Sequence, residues 1–276
     1  MSPLATMIVI VAALVHAMWN LLLSKSNDDA DDQSRTAVVI LIGAVALLPF
    51  ALADFRVEPA AWPFIAVSAV FELAYFALLS TAYARAPAGV VYPLARGSAP
   101  VFVLIVSVVF LGGRFDLLSV AGMIMITIGI VIVRGLSGRI GADALLLAPA
   151  IGACIAGYTL VDSVGLRHAA PAAYLEIVLL ITGICYAAVA LRTRGWAALR
   201  STLGWRGALT GVGMAASYVL VLIALTMAPA APVAALRETS VVLLMIMLAV
   251  TGRERVTVAR VLGAVLVTLG VACVVS

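Results

Sequence analysis

Ten long apolar runs, separated by short polar or Gly/Pro-containing breaks, make up nearly the whole chain. A bilayer crossing by an α-helix needs about 20 predominantly apolar residues, and each run is close to that length. The runs are continuous rather than alternating, which argues against a transmembrane β-barrel. The predicted spans are 4–24, 36–53, 61–84, 89–111, 116–134, 144–166, 170–191, 207–227, 230–250 and 256–275.

Composition agrees with this pattern. Of the 276 residues, 65% are hydrophobic and only 11% are charged, with a mean hydropathy of +1.22. A soluble domain carries about 25% charged residues, so this chain cannot cover a water-facing surface. Only the breaks at 25–35, 134–143 and 192–206 exceed a tight turn, and none is long enough for a soluble domain. The predicted fold class is therefore an all-α integral membrane protein with ten transmembrane helices.

The second half of the chain repeats features of the first. Because each half contains five predicted helices, an odd number, the second copy must enter the membrane from the opposite side. The sequence thus predicts two inverted five-helix repeats, at 1–135 and 144–276, an architecture that many secondary transporters use. The related pairs are Arg96 and Arg237, Gly122 and Gly263, and Gly129 and Gly270 at a spacing of 141, and His16 and Tyr158, and Asn20 and Asp162, at 142.

Two local marks carry a family resemblance. An Ala-Pro-Ala-Gly turn at 86–89 is matched by Ala-Pro-Ala-Ala at 228–231, and a Gly-Arg-Glu-Arg turn at 252–255 precedes a glycine-containing last helix. The corresponding turn of the first copy, Gly-Gly-Arg at 112–114, lacks the glutamate. Over essentially its whole length the chain resembles the ten-helix drug/metabolite transporter superfamily, with two tandem EamA-type repeats. The resemblance implies a multi-pass solute carrier of a bacterial-type inner membrane, often an exporter of amino acids or small metabolites.

Polar side chains inside the spans are the candidates for substrate binding. A charge at membrane depth costs on the order of 3 kcal/mol even on lenient scales, so such residues are expected to face protein or a solvated cavity. The candidates are His16, Trp19, Asn20, Glu72, Tyr75, Tyr92, Arg96, Tyr158, Asp162, Tyr218, Arg237 and Glu238.

The two arginines are the most informative candidates. Inverted repeats start helices four and nine from opposite faces, so Arg96 and Arg237 are predicted to line one central cavity, each nearer to a different mouth. The alternative is that each snorkels to its nearer interface. Arg96 suits bidentate binding of a carboxylate or phosphonate, or an ion pair with Glu72. Pro93 and Pro100 flank Arg96 and favour a kink in helix four.

The carboxylates also have two interpretations each. Glu72 is either a structural partner for an arginine or a proton-coupling group. Glu238 points about 100° away from its neighbour Arg237, so one of them is expected to face the cavity while the other contacts an adjacent helix. Asp162 lies close to its helix end, where a solvated position is the alternative.

The remaining candidates are polar or aromatic. His16, Trp19 and Asn20 share one face of helix one, in a cavity or as interfacial anchors. Tyr218 is either a site residue or helix packing.

Together these residues predict a transporter of a small zwitterion, with arginine for a carboxylate and an acid for an amine. The alternative is an organic or quaternary ammonium cation held in an aromatic cage. We predict no enzyme, because no HExxH or GxSxG motif is present, and no cofactor, metal or nucleic-acid partner. The expected partners are the solute, the bilayer and protons as a coupling ion.

Membrane orientation is in conflict. The family resemblance implies cytoplasmic termini, whereas the arginine-rich segment 192–206 favours termini outside under the positive-inside rule. We keep the topology that the family implies.

Overall fold

The structure is a computed structural model that describes residues 1–23, 32–85, 88–111, 117–135, 142–252 and 257–275. These ranges are almost entirely α-helical, without a β-sheet among the described residues. A short 3₁₀ turn, Pro59–Ala61, precedes α3. The helices are α1 (Pro3–Leu23), α2 (Asp32–Ala53), α3 (Trp62–Arg85), α4 (Ala88–Leu111), α5 (Leu117–Arg134), α6 (Ala142–Gly165), α7 (Pro171–Ser201), α8 (Trp205–Leu225), α9 (Ala230–Arg237), α10 (Thr239–Val250) and α11 (Val258–Val275).

The helices are long and apolar enough for a multi-pass membrane protein. Eight described segments meet the length and hydropathy of a membrane span, and α9 with α10 forms one of them, Ala230–Val250. Two shorter apolar stretches, Leu94–Val109 and Leu117–Val133, lie in α4 and α5. The predicted all-α membrane protein with ten spans is confirmed.

Helix α7 is longer than its predicted span. It continues into the segment 192–206, which was predicted to be a loop, and ends at Ser201. Gly195 interrupts it with a non-helical φ of 82° and ψ of 170°, a conformation that glycine adopts readily, so the last turns form a second helical stretch after a kink. The arginines end the apolar run but not the helix, because hydropathy reports depth in the bilayer rather than backbone conformation.

The ninth span is interrupted where the sequence predicted a continuous helix. Glu238 separates α9 from α10, and its N–H donates to the backbone oxygen of Ala235 at 3.1 Å. The N–H of Val241 donates in turn to the oxygen of Glu238 at 3.0 Å. Such i→i+3 bonds are those of a 3₁₀ turn, which is wound more tightly than an α-helix. Helix α4, with its two prolines, remains helical from Ala88 to Leu111.

Helix packing follows the internal repeat. Helix α5 packs along its repeat mate α11, and α2 along its mate α7. The contact of α3 with α6 is mirrored by that of α8 with α1, and the contact of α4 with α6 by that of α9 and α10 with α1. The two repeats therefore interlock around an approximate two-fold axis, and neither forms a separate bundle.

Glycines on α5 and α11 reveal the direction of this symmetry. A Cβ on Gly122 would lie 2.6 Å from the backbone oxygen of Gly270, and one on Gly129 would lie 2.7 Å from that of Gly263. As the residue number rises along α5 it falls along α11, so these equivalent helices are antiparallel. The repeats are thus inverted relative to each other.

Gly129→Val is expected to lower the free energy of unfolding by about 1–3 kcal/mol, the usual range for overpacking. The added side chain meets the backbone of α11 and Val267, so the two helices must separate. Thermal unfolding in mild detergent measures the effect. Gly204→Val is the control, because Gly204 has an extended φ of −178° and open space around its Cβ position. Equal melting of both variants would contradict the close packing of α5 and α11.

Candidate functional site

A cavity of about 140 Å³ lies in the middle of the bundle, between helices of both repeats. A single water needs only about 10–15 Å³ on this measure, so the cavity has room for a small solute. Eight of the twelve predicted site residues line it: His16, Trp19, Glu72, Tyr75, Arg96, Tyr158, Tyr218 and Arg237.

Four predicted site residues are not in that lining. Asn20 donates through Nδ2 to the backbone oxygen of His16, at 2.8 Å within α1. Asp162 and Glu238 are buried behind the cavity wall, with 0% and 2% of their surface exposed. Tyr92 lies outside the residues whose side chains the structure describes.

The Arg96 guanidinium joins α4 to two other helices. Its Nη2 is 2.8 Å from His16 Nε2 on α1, and its Nη1 is 3.6 Å from Glu238 Oε1, between α9 and α10. Because a guanidinium can only donate, Nε2 of His16 accepts, and the proton of the neutral imidazole lies on Nδ1. Glu72 was one of two predicted partners of Arg96, the other being the solute; the carboxylate that approaches the guanidinium in the structure is that of Glu238.

Arg237 occupies the matching place in the second repeat but has a different environment. It stands seven residues after the start of α9, and Arg96 stands eight after the start of α4, so the two approach the cavity from opposite ends. Only 7% of Arg237 is exposed, and its guanidinium lies beside Tyr158. Its buried Nε–H has no acceptor among the described residues, and neither does the buried indole N–H of Trp19.

Glu72 supplies a carboxylate to the same cavity. It is 8% exposed and accepts a hydrogen bond from the Thr182 hydroxyl of α7 at 3.4 Å. Tyr158 lies within electrostatic reach of Glu72 and of both arginines, Arg96 and Arg237. The cavity therefore places two cations and one carboxylate around a single tyrosine ring.

Aromatic rings form much of the remaining wall. Tyr158 meets Tyr75 edge-on with ring centroids 6.5 Å apart, and Tyr218 in the same way at 5.7 Å. His16 and Trp19 form a further edge contact at 4.9 Å. Edge-to-face geometry at these separations is the arrangement that aromatic pairs prefer.

Apolar lining residues were not predicted, because an apolar side chain does not stand out within an apolar membrane span. Met214 and Val221 line the cavity together with Tyr218, at spacings of four and three residues along α8. Leu175 and Leu179 do the same on α7. These spacings place each set on one helix face. The residues three and four positions from Tyr218 could therefore have been predicted as further lining residues.

The described residues contain no cluster of three or more His, Cys, Asp or Glu side chains that could hold a metal ion. The chemistry that this cavity offers is recognition of charge and of aromatic or apolar surface. Its orphaned donors suit an anionic group, and its carboxylate suits a cationic one.

Comparison with known proteins agrees with the fold. The profile of the EamA-like transporter family matches the chain twice, over residues 3–135 and 143–276. A solved structure, described only as the crystal structure of a protein, superposes with a TM-score of 0.81 at 19% sequence identity. The match covers 99% of this chain and 96% of that one, and at this identity it shows the fold alone. No curated protein matches the sequence significantly.

Proposed function

The chain belongs to the EamA-like transporter family, and on this premise we propose that it moves a small zwitterion, such as an amino acid, across the membrane. The proposed mechanism is alternating access around the central cavity. Its inverted repeats supply two related arrangements, each open to one side. Export across a bacterial-type inner membrane, with protons as the coupling ion, completes the proposal.

The observation that supports a zwitterion is a pair of unpaired buried donors in the same cavity as a carboxylate. An unpaired buried polar group costs roughly 1–3 kcal/mol, so a cavity that leaves Arg237 Nε–H and the Trp19 indole N–H unmatched favours a ligand with acceptors. A carboxylate meets that need and pairs with guanidinium through charge-assisted bonds. Glu72 can then accept the ammonium group, and the tyrosine rings contact the rest of the solute.

An organic cation is the second candidate. Tyr75, Tyr158 and Tyr218 present three rings in edge contact, as the walls of a cation-binding cage do. Two arginines at the same cavity work against it, because like charges repel in a poorly solvated space. We therefore rank this candidate below the zwitterion.

Reconstitution into liposomes tests the solute class. We expect saturable counterflow of at least some neutral amino acids. The matched amines and carboxylic acids, which lack one of the two charges, should compete at least tenfold more weakly. Protein-free liposomes are the control, and an imposed pH gradient tests proton coupling. Transport of choline-like cations without any transport of amino acids would reverse the ranking of the two candidates.

A further inference from the structure

Three hydrogen-bonding side chains lie together at the cavity wall: Tyr218 lines the cavity, and Asp162 and Tyr174 lie behind it. The Asp162 carboxylate of α6 accepts a hydrogen bond from the Tyr174 hydroxyl of α7 at 3.0 Å. Its other oxygen accepts from the Tyr218 hydroxyl of α8. Asp162 is fully buried, and Tyr174 is 1% exposed. The three side chains therefore tie three helices of the second repeat together.

The position of this cluster along the bundle follows from chain direction. Asp162 lies near the end of α6 and Tyr174 near the start of α7, so both lie toward the α6–α7 connection. At that end the segments 54–58 and 166–170 meet. The Glu58 N–H donates to the His168 backbone oxygen at 2.9 Å, and Glu58 also pairs with the His168 ring. We call this the bridged end of the molecule.

The repeat mate of Asp162 makes no comparable connection. Asn20, its counterpart in the first repeat, lies toward the opposite end of the bundle, and its side-chain amide donates back to α1 itself. Within the described residues it reaches no other helix. Phe76, the counterpart of Tyr218 in the first repeat, has no hydroxyl to donate. The two ends of the bundle thus differ: hydrogen bonds join α6, α7 and α8 near the bridged end, and Asn20 and Phe76 supply no such bonds at the corresponding positions of the first repeat.

Helix packing indicates what the cluster holds in place. Helix α1 packs along α8, and α3 packs along α6, as two extensive pairs, whereas α6 and α8 touch over a short stretch only. The bond from Tyr218 to Asp162 crosses that short contact and so connects one pair to the other. Tyr218 also lines the cavity, so one side chain contacts both the solute space and the buried Asp162 carboxylate.

We infer that Asp162, Tyr174 and Tyr218 form a latch that keeps the cavity closed at the bridged end, and that the latch must open in each transport cycle. This inference rests on the proposed alternating access and adds the residues that control one side of it. Once both hydroxyls are removed, the buried carboxylate keeps the Ser68 hydroxyl of α3 as a neighbouring donor and needs water for its remaining acceptor positions. Water reaches it when the bridged end opens, so that state becomes more populated.

The test measures access to the cavity from each side of the membrane. Val221, one turn from Tyr218 toward the bridged end, lines the cavity and is 2% exposed. Val221→Cys is introduced after the native cysteines, Cys154, Cys185 and Cys273, are replaced by alanine. A membrane-impermeant thiol reagent is then applied to reconstituted vesicles from one side or the other, without solute.

We expect Tyr174→Phe with Tyr218→Phe to raise the labelling rate from the bridged side about tenfold, with a lower rate from the opposite side. Tyr186→Phe is the matched control. It removes another hydroxyl of α7, which donates to the Phe76 backbone oxygen at a distance of 3.3 Å and does not belong to the latch. This substitution should leave both labelling rates unchanged. Gly165→Ala is a second route, because its Cβ would lie 2.6 Å from the Tyr174 ring and displace it.

Unchanged labelling from both sides in these latch variants, with melting temperatures near that of the parent, would overturn the latch. An equal rise from both sides would overturn it too, because that indicates general loosening. Since no solute is present, the result does not depend on the zwitterion. Failure of amino acid counterflow with the expected labelling would count against the proposed solute and leave the latch standing.

Discussion

Arg96→Gln is expected to lower the free energy of unfolding by about 3–5 kcal/mol, the usual cost of removing one partner from a buried ion pair. Glu238, at 2% exposure, would lose the cation 3.6 Å from its Oε1. His16 would lose the donor to its Nε2. Thermal or denaturant unfolding in mild detergent measures the change, and expression at wild-type level is not expected.

Neutralising the second partner separates the pair from other effects of the substitution. Arg96→Gln with Glu238→Gln should recover most of the lost stability, because no uncompensated charge then remains buried. The coupling energy from the double-mutant cycle is expected to exceed about 1 kcal/mol. Additive effects of the two substitutions would show that the pair does not hold α4 to the ninth span.

An exposed pair provides the matched control. Arg56 and Asp54 approach more closely, at 2.6 Å, but their side chains are 75% and 53% exposed. The hydrogen bond from Arg56 holds the pKa of Asp54 below its ordinary value. Even so, solvent screens such pairs, and Arg56→Gln is expected to leave the melting temperature nearly unchanged. The burial of each ion pair, rather than the distance between its charged atoms, should therefore decide whether Arg56 or Arg96 contributes more to stability.

The sequence was enough to predict the spans and their inversion. Long continuous apolar runs mark helices in a bilayer, because every backbone group must be satisfied within the segment. The constant spacing between matched residues, such as Arg96 and Arg237, revealed the repeat. The extension of α7 past Arg192 was missed because charge marks the bilayer surface, not the end of a helix. The interruption at Glu238 was missed because the segment 233–250 contains no glycine or proline that would mark a break.

The site was predictable by residue type but not by pairing. Charge at depth singled out Arg96, Glu72 and Arg237, because such residues are expensive and face protein or a cavity. The choice of Glu238 over Glu72 as the partner of Arg96 depends on how α4 crosses the ninth span. A single sequence does not contain that crossing. The same is true of Asp162, which approaches Tyr218 only through the tertiary fold.

Arg237→Gln is expected to raise the KM for zwitterion counterflow about 100-fold, with little change in stability. Loss of one partner from a buried, hydrogen-bonded charge pair costs about 2–5 kcal/mol. Each step of about 1.4 kcal/mol is a factor of ten in affinity. Removal of Arg237 takes a cation from the neutral Tyr158 hydroxyl, whereas removal of Arg96 leaves the buried Glu238 carboxylate without its cation. Arg237→Lys keeps the charge but not the two-pronged geometry, and should recover part of the affinity.

A change in the solute distinguishes direct binding from a role in the conformational cycle. Amino acid amides or methyl esters lack the carboxylate, so if Arg237 binds that group, their inhibition constants should be nearly the same for wild type and Arg237→Gln. Arg96→Lys, which keeps a cation beside Glu238, should change the KM for the zwitterion less than Arg237→Gln does. A fall in maximal rate at unchanged KM in Arg237→Gln would assign Arg237 to helix movement instead. Under the zwitterion proposal, the substitution and the missing carboxylate must remove the same interaction, so their effects together should not exceed either one alone.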